Sequence, residues 1–154
     1  MILNDPIEIG LADAEATAAL GARLAEALRA GDAILLTGGL GAGKSTLARG
    51  LIRALTTPDE DVPSPTFTLV QFYESEPPVA HFDLYRLESP EEAYEIGLDE
   101  ALDASAVVVE WPQRLGARLP PDRLDIDLAE QGSGRVARLV PHGSWKGRAF
   151  GVGS

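Results

Sequence analysis

An apolar run, Ala33-Ile34-Leu35-Leu36-Thr37, passes directly into Gly38-Gly39-Leu40-Gly41-Ala42-Gly43-Lys44-Ser45. A short, continuous apolar run is what a strand buried on both faces of a parallel sheet requires. The glycines that follow let the backbone curl, so that successive N–H groups point into one concavity suited to oxyanions. Ser45 to Leu55 reads as a helix, and its positive dipole end faces the same concavity. Strand, glycine loop and helix in this order fit G-x-x-x-x-G-K-[ST], the phosphate-binding loop. Lys44 brings a mobile positive charge for terminal phosphates. Ser45 brings a hydroxyl where a phosphate-bound Mg²⁺ takes an oxygen ligand. A dinucleotide fingerprint is excluded: Gly39-x-Gly41 leads to Lys44 and Gly41-x-Gly43 leads to Thr46, so no G-x-G-x-x-G exists.

A loop of this kind commits the chain to an α/β fold, and the remaining pattern agrees. Pro6 to Ile9 reads as an edge strand. Asp13 is a helix N-cap ahead of Ala14 to Arg29, where Leu20, Leu24 and Leu28 form one stripe and Gly31 ends the helix. Thr56 to Pro65 is a proline-rich loop. Thr66 to Tyr73 and Val79 to Leu84 read as an antiparallel strand pair across Glu76-Pro77-Pro78. Ser89-Pro90-Glu91-Glu92 has the form of a capping box, opening a helix to Ile96 that Gly97 stops. Leu98 to Ala104 is a further short helix. Ala106 to Val109 is a buried strand, and Arg123 to Leu128 pairs with Arg135 to Val140 across Gln131 to Gly134. The expectation is a three-layer, P-loop NTPase-like fold, its mixed sheet parallel at the centre and antiparallel at the edge. The 154 residues suffice for one domain, over 1–142. The glycines of 143–154 argue against a packed helix or strand and predict a loosely held tail.

Charge and composition narrow the function classes. The chain has no cysteine, which excludes disulfides and thiolate chemistry and is compatible with a reducing cytoplasm, the expected location. No apolar run approaches the ~20 residues of a membrane span, and the N-terminus does not read as a secretion signal. Net charge is −11 and uneven: residues 56–110 hold 14 acids and only Arg86 as a base. A segment this acidic repels a nucleic-acid backbone, so direct DNA binding is not expected and any RNA is met through a partner.

A phosphate loop needs an acidic partner for Mg²⁺. Asp83 ends Val79-Ala80-His81-Phe82-Asp83, and Glu110 ends Val107-Val108-Val109-Glu110. Strand ends are where open α/β sheets handle ligands. Either acid can hold metal, and Glu110 can equally orient an attacking water. Thr66, in Ser64-Pro65-Thr66-Phe67-Thr68, is placed as switch threonines are, or simply opens a strand. His81 and Tyr85 flank Asp83 at a spacing of two and read as structural hydrogen-bonding groups. Trp111 reads as a core or lid aromatic, and Arg86 and Arg114 as exposed ion-pair partners.

Four blocks together carry a resemblance: Gly38 to Thr46, Ser64-Pro65-Thr66-Phe67-Thr68-Leu69-Val70, His81-Phe82-Asp83-Leu84-Tyr85-Arg86-Leu87 and Glu110-Trp111-Pro112. Over roughly residues 5–140 the chain resembles the TsaE family, the bacterial ATPases of tRNA threonylcarbamoyladenosine (t6A) biosynthesis. The resemblance implies ATP binding and slow hydrolysis. It also implies work alongside the TsaB–TsaD pair, which transfers a threonylcarbamoyl group to adenosine 37 of certain tRNAs. Carried over, Gly39, Leu40, Gly41, Ala42, Gly43, Lys44, Ser45 and Thr46 would cradle phosphate, and Ser45 would bind Mg²⁺ where the family more often has threonine. Thr66 would sit in the switch-like loop and Asp83 would be the Walker B-type acid. Glu110 would be a second acid near metal or water, with Trp111 beside the nucleotide. Asp13 and Thr17 match a stretch near the adenine. Gly39 departs from the aspartate usual at that position. Two other classes stay open on the residues themselves. A small kinase would want an arginine-rich lid, for which residues 56–110 offer only Arg86. A nucleotide-gated binding module would need no turnover.

Overall fold

The computed structural model describes residues 2–39 and 41–149. In chain order the elements are β1 (Ile2–Leu3), β2 (Ile7–Leu11), α1 (Ala14–Ala27), β3 (Ala33–Thr37), α2 (Lys44–Leu55), β4 (Val70–Tyr73), β5 (Val79–Asp83), α3 (Pro90–Glu95), α4 (Leu98–Ala104), β6 (Ala106–Glu110), β7 (Arg123–Gln131), β8 (Gly134–Pro141) and β9 (Arg148–Ala149). Short 3₁₀ turns lie at Pro112–Leu115 and Gly143–Trp145.

Seven strands form one sheet in the order β2-β8-β7-β3-β6-β5-β4. The central pairs β7/β3, β3/β6 and β6/β5 are parallel, and the outer pairs β2/β8, β8/β7 and β5/β4 are antiparallel. The central strands are buried on both faces, which is why they read as continuous apolar runs. Alternation still sorts their side chains. Ile34, Leu36 and Val108 join the cluster under α1 and α2, while Ala33, Leu35, Val107 and Val109 join the one under α3 and α4. The result is the expected three-layer α/β architecture.

The helices start and pack for local reasons. The Asp13 carboxylate accepts from the Ala16 N–H at 2.8 Å and caps α1. α1 and α2 approach closely through glycines: a Cβ on Gly50 would lie 2.2 Å from the Ala18 carbonyl oxygen, and one on Gly21 would lie 2.2 Å from that of Leu47. The capping box at Ser89 does not form. The Ser89 side chain makes no cap bond, and Glu92 Oε1 accepts from the N–H of Glu88, one residue before the cap, at 3.1 Å. Pro90 in the first turn and the acidic residues Glu91 and Glu92 start α3 instead.

Two expectations need correction. The strand expected from Thr66 begins only at Val70. Residues 66–69 turn, with the Leu69 N–H donating to Pro65 O at 2.7 Å and Leu69 itself at φ +70°. The Thr66 hydroxyl is drawn to Asp83, and the chain bends before it can join the sheet. Nor is the tail loose as far as Ala149. Trp145 is fully buried in the α1/α2 core, and β9 pairs with β1. Arg148 reaches Asp32 in a buried bidentate ion pair, with its guanidinium 4.2 Å from the Trp145 ring centroid. Glycines permit the turns between these anchors. The described helices include none long and apolar enough to cross a membrane.

Removing one partner of a buried ion pair leaves the other charge uncompensated. Arg148→Ala is therefore expected to lower stability by about 3–5 kcal/mol in urea unfolding. An unchanged midpoint would show that the C-terminal segment contributes nothing to the fold.

Candidate functional site

Register brings the site together. Leu36 of β3 pairs with Glu110 of β6, and Glu110 pairs with Asp83 of β5. Three neighbouring parallel strands thus end in one row, with the glycine loop leaving β3 at the same edge. Gly43 takes φ +107°, a left-handed conformation that costs a residue with a Cβ about 1–2 kcal/mol, and from it the chain enters α2 at Lys44.

A cleft of about 290 Å³ lies over this row, lined by Gly41, Ala42, Gly43, Lys44, Ser45, Ser64, Thr66, Asp83, Tyr85, Glu110 and Trp111. The side chains in it are committed to one another. Lys44 is buried, donates from Nζ to Gly38 O at 2.6 Å, and lies 3.6 Å from the Trp111 ring centroid. Burial lowers the Lys44 pKa from its ordinary 10.5, against the opposing pull of Glu110 and then Asp83. Ser45 Oγ donates to Glu110 Oε1 at 3.3 Å, and Glu110 Oε2 meets His81 Nε2 at 2.7 Å. Asp83 Oδ2 accepts from Thr66 Oγ1 at 3.1 Å, while its Oδ1 accepts from the Tyr85 N–H at 3.0 Å. Each carboxylate thus divides its oxygens: Glu110 between the loop serine and a buried histidine, Asp83 between the 64–66 loop and the segment after β5.

A second cleft of about 180 Å³ adjoins the first across Gly41 and Gly43, and Asp13, Thr17, Thr46, Ser133 and Arg135 line it. Asp13 and Thr17 are thereby next to the glycine loop, although the Asp13 carboxylate already caps α1. Gly39 accepts from the Ala42 N–H at 3.1 Å and lines neither cleft. Leu40 lies outside the described residues. Arg86 and Arg114 make no ion pair among the described residues. Instead they lie over the exposed rings of Phe67 and Tyr85, at 5.2 Å and 5.9 Å.

Three contributors were not singled out as site residues from the sequence. Ser64 bonds Thr66 Oγ1 at 2.8 Å, and Tyr85 lies beyond the end of β5 and lines the cleft. Arg135 donates to Gly41 O at 2.9 Å from 94 residues away. For Arg135 no local signal exists, because the β7/β3 pairing alone brings its hairpin to the loop.

The donor set fits a hard cation with phosphate oxygens. It offers a serine hydroxyl and two carboxylates. No group of three or more His, Cys, Asp or Glu side chains that could hold a metal by itself is found among the described residues. A hydroxyl and two carboxylates are donors that Mg²⁺ accepts when water and phosphate complete its shell.

Residues 11–138 match the family model described as threonylcarbamoyl adenosine biosynthesis protein TsaE. The chain belongs to the TsaE family. A TsaE protein of Nostoc, described as a tRNA threonylcarbamoyladenosine biosynthesis protein, is 44% identical over 149 residues, covering 92% of this chain and 90% of its own. The Streptomyces coelicolor TsaE is 42% identical over 127 residues, with coverage of 80% and 84%. The Rickettsia felis TsaE is 40% identical over 115 residues, with coverage of 74% and 67%. The crystal structure of Bacillus subtilis YdiB superposes with a TM-score of 0.76 at 27% identity, covering 95% of this chain and 90% of that one. The TsaE resemblance read from the four sequence blocks is therefore borne out, as is the fold it implied.

His81 holds one oxygen of a carboxylate that is 3% exposed. His81→Leu is expected to cost about 1–3 kcal/mol in thermal or urea unfolding, the penalty of an unsatisfied buried acceptor. His81→Gln, which keeps a donor, should cost less. Equal losses would mean that ring packing, and not the bond to Glu110, is what His81 supplies.

Proposed function

We propose that this chain is a Mg²⁺-dependent, ATP-binding and slowly hydrolysing accessory protein of t6A formation. In this reading it acts in the cytoplasm with the TsaB–TsaD pair and meets tRNA only through those partners. The observation that carries the proposal is the convergence of Lys44, Ser45, Asp83 and Glu110 on one cleft at the head of α2. Membership of the TsaE family directs that cleft to t6A biosynthesis.

In this reading the loop amides and Lys44 hold the β- and γ-phosphates. Lys44 gives up its bond to Gly38 O for phosphate oxygens. Ser45 and Glu110, which share a hydrogen bond, would hold Mg²⁺ together with Asp83. Bound Mg²⁺ would neutralise charge on the phosphates. Asp83 faces the same cleft from the next strand and fixes Thr66 of the 64–66 loop, so that loop responds to what the acid binds. The second cleft, beside Asp13, Thr17 and Arg135, is the place for ribose and base. Trp111 closes the phosphate side.

Calorimetry should detect Mg²⁺-dependent ATP binding. Lys44→Ala should weaken it by about 10- to 100-fold, the worth of a charge-assisted hydrogen bond, and abolish phosphate release. Glu110→Gln should lose hydrolysis while the protein stays folded. Cells depleted of the protein should lose t6A from tRNA and regain it with the wild-type chain but not with Lys44→Ala. Full t6A after depletion would sink the pathway reading. A phosphorylated metabolite in place of free phosphate would favour a kinase. Full t6A supported by a non-hydrolysable ATP analogue would favour a nucleotide-gated module.

A further inference from the structure

The mouth of the cleft is built unlike the rest of the acidic middle segment. Phe67 is 81% exposed, on a loop otherwise pinned by buried Val62 and Pro65. Tyr85, 44% exposed, packs at 4.8 Å against Trp111, which in turn covers Lys44. Arg86 lies over Phe67. Arg114 lies over Tyr85 and donates to its carbonyl at 3.1 Å. Both arginines are exposed and meet no carboxylate within 4 Å among the described residues, although Glu88, Glu91 and Glu95 are exposed close by in the chain. Thr66, which precedes Phe67, and Tyr85, which precedes Arg86, both line the cleft, so two aromatic rings with an arginine on each flank its mouth, and such residues are those enriched at the energetic centre of protein interfaces.

We propose that Phe67, Arg86, Tyr85 and Arg114 are the centre of a docking surface for a protein that offers an apolar pocket flanked by carboxylates. The apolar pocket takes Phe67, and the carboxylates pair with the two guanidinium groups. Charge complementarity selects this occupant. A protein can set carboxylates opposite the two arginines alone, whereas a nucleic-acid backbone carries charge at every nucleotide and would also meet the exposed Glu88, Glu91 and Glu95.

The surface is mounted on the cleft's own carboxylate. Asp83 holds Thr66, the residue before Phe67, through one oxygen, and the Tyr85 N–H through the other. A change in what Asp83 binds re-aims both rings together, and a partner seated on them stands over the cleft mouth. That the partner is TsaB–TsaD rests on the preceding reading; the surface does not.

The test replaces Phe67 with a photoreactive benzophenone amino acid in the full chain in cells. Illumination should give an adduct with another protein, and adding Arg86→Glu or Arg114→Glu should reduce it at least about tenfold without changing the thermal midpoint. Reversing the partner carboxylate nearest the mapped crosslink to lysine should restore the adduct with the arginine variant. An adduct with TsaB or TsaD would support both readings. A charge-dependent, charge-rescued adduct with another protein would support the surface and remove TsaB–TsaD as its partner. No adduct, one confined to the chain itself or to RNA, or one indifferent to both arginine reversals would overturn the docking surface.

Discussion

Everything at the site depends on the register of three parallel strands. β3, β6 and β5 align Leu36, Glu110 and Asp83 in one row. With neighbouring strands ~4.8 Å apart, the two acids stand beside the point where the glycine loop leaves β3. A slip of one residue in β6 would turn Glu110 to the opposite face of the sheet. In one direction such a slip puts the Glu110 carboxylate in the place of Val109, inside the apolar core under α3 and α4, where an unpaired charge is costly. The packing that stabilises the centre of the sheet is therefore also what aims the carboxylates.

The two acids are not equivalent. Glu110 is tied to the loop serine and to a histidine from the neighbouring strand, so both its contacts are to rigid elements. Asp83 is tied to a loop hydroxyl and to a backbone amide just past its own strand, so both its contacts lead to segments outside the sheet. A difference of this kind separates holding from reporting. Glu110 is placed to keep the loop and helix in one geometry, whereas Asp83 is placed to pass a change at the cleft to Phe67 and Tyr85. The family resemblance alone assigned the Walker B-type role to Asp83, yet Glu110 is the acid that bonds the Ser45 hydroxyl.

The elements with strong local codes were legible in the sequence. The glycine loop, the apolar central strands and the helix ended by Gly97 needed only period and punctuation to be recognised, whereas the first helix stops at Ala27, short of the expected Arg29 and ahead of Gly31. The segment 66–69 was misread because its β-branched and aromatic residues suit a strand, while a single bond from Thr66 to Asp83 holds them in a turn. The C-terminal segment was misread because glycine content reports backbone freedom and says nothing about long-range anchors. Trp145 and Arg148 find their partners at Leu3, Asp32 and α1, more than 100 residues away. Arg135 was invisible for the same reason. In each case the deciding contact is tertiary, and a window of neighbouring residues does not contain it.

The charge balance of the cleft bears on how fast it could work. Among the described residues lining it, Lys44 is the one cation, facing two carboxylates. Phosphoryl transfer gathers charge on the transferred group, and an arginine supplied at that moment is worth about 10³–10⁵ in rate. Arg86 and Arg114 do not line the cleft, and each rests on an aromatic ring at its mouth, Phe67 and Tyr85. In the proposed function, the isolated chain would therefore turn its nucleotide over slowly. A partner docked at that mouth would act at the point where charge is lacking, either by donating a cation of its own or by freeing one of these two. Slow turnover alone and a dependence on the partner then have the same physical origin.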